Sequence, residues 1–318
     1  MSDSPRLILH HYPTSPFAEK VRLMLGFKKL TWCSVTIPAV MPKPDVVALT
    51  GGYRRTPVLQ AGSDIYCDTS LITDVLEHVQ PEPTVYPAHL KGVARIVAQW
   101  ADTTLFWAAM TYSISPKTAP ALFPDEATAN AFIADRKAMR TNTTPLRPAD
   151  ATSAYRSYLR RAAHMADEHD FLFGAEPCIA DFSVYHPLWF TRVRTPAAAG
   201  ILQATPSLIE WMDRMSAVGH GTATTLSSAD AVEVAARSEP MPPGANLLVD
   251  SAFQDDHGIP LCTRVTVTPE SFGPESTEGD LVAATRTHYT IRRTDPRAGV
   301  VHVHFPRIGY VLRKADAA

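Results

Sequence analysis

The sequence predicts an α/β domain, then an all-helical bundle, then a small antiparallel β extension. Changes of pattern along the 318 residues support this prediction. Short apolar runs alternate with amphipathic helical segments up to residue 82, helical spacing continues from 88 to 236, and β-type runs fill residues 240–318. Proline-containing stretches at 80–84 and 240–244 separate these parts and are typical of linkers. We therefore expect domains at 1–82, 88–236 and 240–318.

The composition argues against several classes of protein. Hydrophobic residues make up 45% of the chain, enough to bury a sizeable core. The 30 lysines and arginines against 32 acidic residues give a net charge of −2 without a polybasic run, so neither nucleic acid nor a membrane is an expected partner. The four cysteines lie far apart in the sequence, and this spacing is typical of free thiols in a reducing compartment. Since residues 1–6 lack a signal-peptide core and no apolar run is long enough to cross a bilayer, a cytoplasmic location is predicted.

The first helix is predicted by the segment that follows residue 12. Residues 7–10 form a short apolar strand, and Phe17, Val21 and Met24 then recur at helical spacing. Ser15 stands at the N-cap position, and Pro16 follows at the first helical position. Backbone N–H groups and the helix dipole favour an anion at such a terminus, so this segment is a candidate anion site. Ser15 could also serve only as a cap.

The next elements complete an α/β unit. Residues 31–36 form a second predicted strand, a short helix lies around 45–49, and residues 55–60 form the third strand. A fourth strand begins at Ile65, and a helix follows over 70–79 with its apolar residues on one face. The order is strand, helix, strand, helix, strand, strand, helix.

This order and three short motifs resemble the thioredoxin-like domain of the glutathione S-transferase family. The motifs, which follow the family's order and spacing, are Ser15-Pro16-Phe17, Thr56-Pro57-Val58 and Asp68-Thr69. The resemblance is strong over roughly the first eighty residues and weaker over roughly the next hundred and forty. In the weaker part, Cys178 stands where the family has the hydroxyl of a capping box, with Asp181 as its partner.

The resemblance implies how a thiol would be activated. A thiol reacts as the thiolate, and a hydroxyl that donates a hydrogen bond stabilises that anion. The family has Ser, Tyr or Cys at or near the position of Ser15, so Ser15 is the predicted catalytic residue. Tyr12 is the second candidate because it also follows the first strand, although it could simply pack there.

The resemblance also implies a set of glutathione-binding residues. Pro57 would form a cis peptide bond with Thr56, and Val58 would offer its N–H and C=O to the cysteinyl backbone. Asp68 and Thr69 would hold the γ-glutamyl end of the peptide. The same pair could instead be an ordinary helix cap.

Further side chains could complete the site. Arg55, or less favourably Arg54, could pair with the glycyl carboxylate; alternatively both are solvated arginines on a loop. Several aromatic residues of the helical segment could line an apolar pocket for a second substrate, and Trp107 and Tyr112 are the two expected nearest the cleft. Such aromatic residues also pack routinely in a core.

Together these predictions describe a transferase that conjugates the glutathione thiolate to a small hydrophobic electrophile, with a role in detoxification. The family resemblance implies glutathione as co-substrate and a homodimer. His302 and His304 could be a metal pair on one strand face, but no third ligand is obvious. No metal is therefore predicted, and a solvated strand face is the alternative. A non-catalytic glutathione-binding or protein-interaction member of the same fold is the rival function. A glutathione-dependent lyase, isomerase or dehalogenase is a third possibility.

Overall fold

The computed structural model describes residues 6–115, 117–140, 144–254 and 256–315. The absence of a signal-peptide core was predicted for residues 1–6, of which 1–5 lie outside the described residues. The strands are β1 (Leu7–His11), β2 (Thr31–Thr36), β3 (Val58–Ala61), β4 (Asp64–Cys67), β5 (Thr222–Thr225), β6 (Arg264–Pro269), β7 (Thr277–Ala284), β8 (His288–Asp295), β9 (Gly299–Pro306) and β10 (Tyr310–Lys314). The α-helices are α1 (Pro16–Phe27), α2 (Pro44–Thr50), α3 (Thr69–Val79), α4 (Lys91–Trp100), α5 (Phe106–Ser113), α6 (Ala119–Leu122), α7 (Glu126–Ala138), α8 (Pro148–Ala166), α9 (Ile179–Trp189), α10 (Pro206–Ala217) and α11 (Ser228–Ala236).

The first four strands form the predicted α/β unit. β1 pairs parallel with β2 and antiparallel with β3, and β3 pairs antiparallel with β4. Side chains alternate between the two faces of a strand, so each face packs on different helices. Leu9 and Leu59 lie in the core cluster that includes residues of α1 and α3, whereas Ile8 packs with Val46 of α2 and Ala231 of α11. The predicted combination of an α/β unit and a helical bundle is confirmed.

The helical bundle is organised by Asp181, which is buried in the first turn of α9. Its carboxylate accepts hydrogen bonds from the backbone N–H groups of Leu172 and Cys178 and from Trp211 Nε1, at 2.8, 2.9 and 2.9 Å. Burial disfavours the charged carboxylate and raises its pKa, while these donors oppose that shift. Cys178 is the N-cap residue of α9, as predicted. Among the described residues, no helix is long and apolar enough to cross a membrane.

The last part of the predicted helical segment returns to the sheet. Gly219 and Gly221, both with a φ of +69°, turn the chain after α10. β5 then pairs parallel with β2, and α11 packs on α2. The expectation that helical structure continues to residue 236 is therefore wrong over β5, because three of its four residues are threonines, which favour a strand on the free edge of β2. The division of the chain into domains stays a prediction.

The extension is antiparallel, as predicted, and it continues the sheet of the α/β unit. β9 pairs parallel with β4, with Val303 opposite Ile65. Beyond β9 the sheet continues through β8, β7, β6 and β10, so that ten strands of the described chain form one sheet. The sequence did not predict β7, because Glu278, Gly279 and Asp280 interrupt its β-type residues.

Candidate active site

The register of the sheet brings the three predicted motifs to one end. His10 of β1 lies opposite Val58 of β3, which lies opposite Cys67 of β4. Because β3 runs antiparallel to both neighbours, the end of β1, the start of β3 and the end of β4 lie at the same end of the sheet. Ser15, Thr56–Pro57 and Asp68 follow or precede these strand ends. The Thr56–Pro57 peptide bond is cis, which confirms that implication of the resemblance.

Ser15 could serve both as the N-cap of α1 and as a hydrogen-bond donor to a thiolate. Its side chain is the N-cap of α1, and Oγ accepts a hydrogen bond from the N–H of Ala18 at 3.2 Å. Ser15 is 2% exposed, and within the described chain no group accepts a hydrogen bond from its hydroxyl. A hydroxyl that accepts one bond still has its own proton to donate. The Tyr12 hydroxyl instead accepts a bond from Arg136 Nη2 at 3.1 Å.

Asp68 caps α3, and both of its carboxylate oxygens have partners within the protein. Its φ is +77°, which non-glycine residues rarely adopt. Oδ1 accepts hydrogen bonds from the N–H and the hydroxyl of Ser70, at 3.0 and 2.9 Å. Oδ2 accepts a hydrogen bond from the Tyr310 hydroxyl at 3.0 Å and lies 3.9 Å from Arg55 Nη1. The carboxylate predicted to bind a ligand amine therefore already has partners on both oxygens.

Thr69 joins a buried ionic network between the α/β unit and the helical bundle. Its Oγ1 accepts a hydrogen bond from Lys20 Nζ at 3.2 Å, and the same ammonium lies 2.6 Å from Asp102 Oδ2. His186 Nε2 is 3.0 Å from the other oxygen of Asp102. Burial alone would raise the pKa of Asp102, but the charge of Lys20 and the bond to His186 lower it overall. Val58, the other predicted backbone contact, is fully buried.

Sequence reasoning missed a cationic group beside Tyr12. Lys43 Nζ donates hydrogen bonds to Thr56 Oγ1 at 3.1 Å and to the carbonyl of Arg54 at 3.3 Å. Burial lowers the pKa of Lys43 to about 8, and the nearby charge of Arg136 acts in the same direction. The signal was present in Pro42-Lys43-Pro44, which fixes a lysine just before α2, but its burial depends on contacts that are distant in sequence.

Two segments outside the recognised motifs cover this part of the site. From α7, Asp135 pairs with Arg54 and accepts a hydrogen bond from the N–H of Met41 at 3.1 Å. From the extension, the loop between β6 and β7 contributes Phe272, whose carbonyl accepts a hydrogen bond from Arg55 Nε at 2.5 Å. The same loop contributes Glu275, whose Oε1 lies 2.5 Å from Arg54 Nη1. Both predicted arginines are therefore held in place, and neither is a free, solvated side chain.

The two aromatic residues predicted for the second-substrate pocket have different surroundings. The ring of Trp107 packs edge-on against Phe106 and against Phe272 of the extension, with centroids 5.1 and 5.0 Å apart. Tyr112 donates a hydrogen bond to the carbonyl of Ala198 at 3.1 Å and packs on Tyr155, inside the helical bundle. The structure places Trp107, but not Tyr112, against the loop that covers the arginines.

His302 and His304 lie at the junction of the extension with β4. His304 Nε2 is 2.9 Å from Asp64 Oδ1, and its Nδ1 is 2.9 Å from Thr290 Oγ1. His304 is fully buried and His302 is 8% exposed, so the alternative of a solvated strand face is wrong. A search of the described residues finds no group of three His, Cys, Asp or Glu side chains that could hold a metal ion.

Comparisons with known proteins agree with this geometry. The family described as glutathione S-transferase, N-terminal domain, matches residues 9–84, and glutathione S-transferase, C-terminal domain, matches residues 147–214. A solved GST-like protein from Pseudomonas syringae is 42% identical with a TM-score of 0.81, and the match covers 98% of this chain and 100% of that one. The match to that relative therefore includes the extension.

More distant solved structures match a smaller part of the chain. A glutathione S-transferase from Rhodospirillum rubrum is 21% identical with a TM-score of 0.49, over 66% of this chain and 87% of that one. The beta-etherase LigF from a Sphingobium species is 18% identical with a TM-score of 0.47, over 66% of this chain and 95% of that one. A comparison with curated proteins gives no match.

The cis-proline segment, the two capped helices and the attached bundle define a thioredoxin-like domain joined to a helical domain. The identity and coverage of the Pseudomonas relative decide the family. The chain belongs to the glutathione S-transferase-like family.

Proposed function

We propose that this protein binds glutathione in the site formed by Ser15, Thr56–Pro57 and the start of α3, which Asp68 caps, and transfers its thiolate to a small hydrophobic electrophile. The observation that carries the proposal is the convergence of three strand ends beside the N-terminus of α1. The backbone of Val58 would pair with the cysteinyl residue, whose thiol would then point toward that helix terminus. Thr69, at the start of α3, would offer its backbone N–H to the γ-glutamyl end.

Ser15 is the group proposed to activate the thiol. Its Oγ accepts from Ala18, which leaves the hydroxyl proton for a thiolate. The N-terminal N–H groups of α1 would add to the stabilisation of that anion. The Tyr12 hydroxyl, which already accepts a hydrogen bond from Arg136, is the second candidate.

The cations of the site would hold the two ends of the peptide. Lys43 lies beside Thr56, so we assign it to the glycyl carboxylate. Arg55 lies beside Asp68, so we assign it to the γ-glutamyl end of the peptide and not to the glycyl end, for which it was predicted. Trp107 and Phe272 would line the approach of the electrophile. The proposal includes the homodimer, the cytoplasmic location and the role in detoxification that the family implies.

The rival function is a non-catalytic glutathione-binding protein of the same fold. The observation that favours it is the burial of Ser15, which is 2% exposed and already serves as a helix cap. A cap needs no access to a ligand, whereas a catalytic hydroxyl does. A pair of substitutions at Ser15 separates the two functions.

The test compares Ser15→Ala with Ser15→Gly. Both remove the hydroxyl, but Ala at an N-cap costs about 1 kcal/mol of stability and Gly only a few tenths. A hydrogen bond to a charged group contributes about 1.5–3 kcal/mol, so turnover of a chloronitrobenzene with glutathione should fall about tenfold to a hundredfold in both variants. Calorimetry should show glutathione binding with a Kd of about micromolar to millimolar in all three proteins.

Two results would overturn the proposal at different points. Binding of glutathione without turnover in the wild type, or with equal turnover in the variants, would leave Ser15 as a cap only. An absence of heat at millimolar glutathione, with an unchanged melting temperature, would remove glutathione as the ligand.

A further inference from the structure

Within the part of the chain that the structure describes, two charged atoms beneath the loop between β6 and β7 have no hydrogen-bond partner. Arg55 Nη2 and Glu275 Oε2 are both buried, and neither has a hydrogen-bond partner among the described residues. The remainder of each side chain is fixed, since Arg55 Nε donates to the carbonyl of Phe272 and Glu275 Oε1 binds Arg54 Nη1. A buried donor or acceptor without a partner costs free energy, so a group that satisfies both atoms would bind favourably.

Glu275 Oε2 lies near the aliphatic part of the Arg55 side chain, since both adjoin Gly273. A Cβ placed on Gly273 would stand 3.5 Å from Arg55 Cγ and 3.6 Å from Glu275 Oε2. The loop therefore wraps around the arginine and brings the glutamate beside it. The two side chains form no ion pair with each other in the described structure; Glu275 pairs with Arg54 through Oε1, and Arg55 lies near Asp68 through Nη1.

Glu275 and Asp68 differ in how many of their carboxylate oxygens have a partner. Asp68 has Ser70 on one oxygen and Tyr310 and Arg55 on the other. Glu275 pairs with Arg54 through one oxygen, and its other oxygen has no hydrogen-bond partner among the described residues. Among the described residues at this end of the site, the carboxylate oxygen without any partner thus comes from the extension.

We propose that Glu275 Oε2 binds the α-ammonium of the γ-glutamyl residue of glutathione while Arg55 Nη2 binds its α-carboxylate. An α-amino acid head group carries one donor cation and one acceptor anion on the same carbon atom, which matches the unpaired acceptor and the unpaired donor. The inference rests on the proposed function, because it assigns the head group of the same ligand. Since both atoms are shielded from solvent, the loop between β6 and β7 would have to move aside for the head group to reach them.

The test uses two ligands that differ only in the ammonium: glutathione and glutaryl-cysteinylglycine, in which a hydrogen replaces it. Calorimetry gives the ratio of their affinities in each protein. The wild type should prefer glutathione about tenfold, the effect of one charge-assisted hydrogen bond. Glu275→Gln should bring the ratio close to one, whereas Glu275→Asp, which keeps the charge, should retain a preference. Glu278→Gln is the matched control, because Glu278 is an exposed glutamate of the extension that pairs with Arg264.

The outcomes separate this inference from the proposed function. A wild type that binds neither ligand removes glutathione altogether. A wild type that binds both equally well keeps the proposed function but overturns the assignment of Glu275, and this result does not depend on whether any variant folds. Equal weakening of both ligands by Glu275→Gln also overturns it, since the residue would then only hold Arg54 and the loop in place.

Discussion

The α/β body and the β extension share one sheet but are held in it differently. In the body, helices cover both faces of β1, and short-range caps such as those at Ser15 and Asp68 fix the helix ends. The extension joins the sheet through the pairing of β9 with β4. Its polar contacts with the body, such as Tyr310 with Asp68 and His304 with Asp64, join residues 242 and 240 positions apart. The body is therefore specified locally, and the extension is specified by the edge on which it docks.

The largest expected effect tests whether the extension is integral to the body. Val303 is fully buried on β9, opposite Ile65 of β4 and Ile291 of β8. Val303→Asp would place an unpaired charge in this junction, and a loss of more than about 4 kcal/mol is expected. Circular dichroism should then show that helix and sheet signals are lost together, in a single thermal transition.

The matched control for that change is Val300→Asp, since Val300 lies on the same strand but is only half-buried. Its transition should stay close to that of the wild type. Two separate transitions in Val303→Asp, with the helical signal unchanged, would show instead that the body folds without its extension.

A second prediction compares two carboxylates: Asp102, which pairs with the body from the helical bundle, and Asp64, which joins β4 of the body to the extension. Asp102→Asn leaves the ammonium of Lys20, which is 1% exposed, without its anion, and a loss of about 3 kcal/mol in the free energy of unfolding is expected. Asp64→Asn affects the junction, where the partners are the imidazole of His304 and the N–H of Met241. Asparagine keeps one acceptor, so about 1–2 kcal/mol is expected there. Urea titration measures both values, and the reverse order would mean that the junction is the stronger tie.

The same contrast explains how much the sequence could reveal. The Ser15 cap, the Asp68 cap and the Thr56–Pro57 bond follow from short motifs, and the structure has each of them. The antiparallel nature of the extension follows from its alternating β-type residues. The edge on which it docks does not, because unpaired strand edges offer the same backbone groups whatever their side chains.

Three residues of the candidate site could not be predicted from the sequence, because their contacts are also distant along the chain. Phe272 and Glu275 lie in a polar loop without a motif, and their contacts with Arg55 and Arg54 span 217 and 221 positions. Lys43 is visible in the sequence, but its lowered pKa depends on burial and on Arg136 of α7, which no local pattern indicates. Local signals thus predict where the candidate site lies, and tertiary contacts decide which charged side chains surround it.

The smallest expected effect concerns the contribution of the body to the site and depends on pH. Free Lys43 has a pKa of about 8, and a bound glycyl carboxylate would raise it by stabilising the ammonium. Binding is therefore favoured below pH 8, where Lys43 is already protonated, and weakens as the pH rises through that value. With S-methylglutathione, which has no thiol to titrate, the affinity measured by calorimetry should fall about tenfold between about pH 7 and 9. The amine of the ligand titrates in a similar range, so the wild type has to be compared with Lys43→Met. The affinity of this variant for S-methylglutathione should be lower at neutral pH and should depend less on pH above it. Lys43→Arg, which stays protonated, should also abolish the Lys43-dependent part of the fall. An unchanged slope in both variants would assign the pH dependence to the ligand and remove Lys43 from the glycyl end.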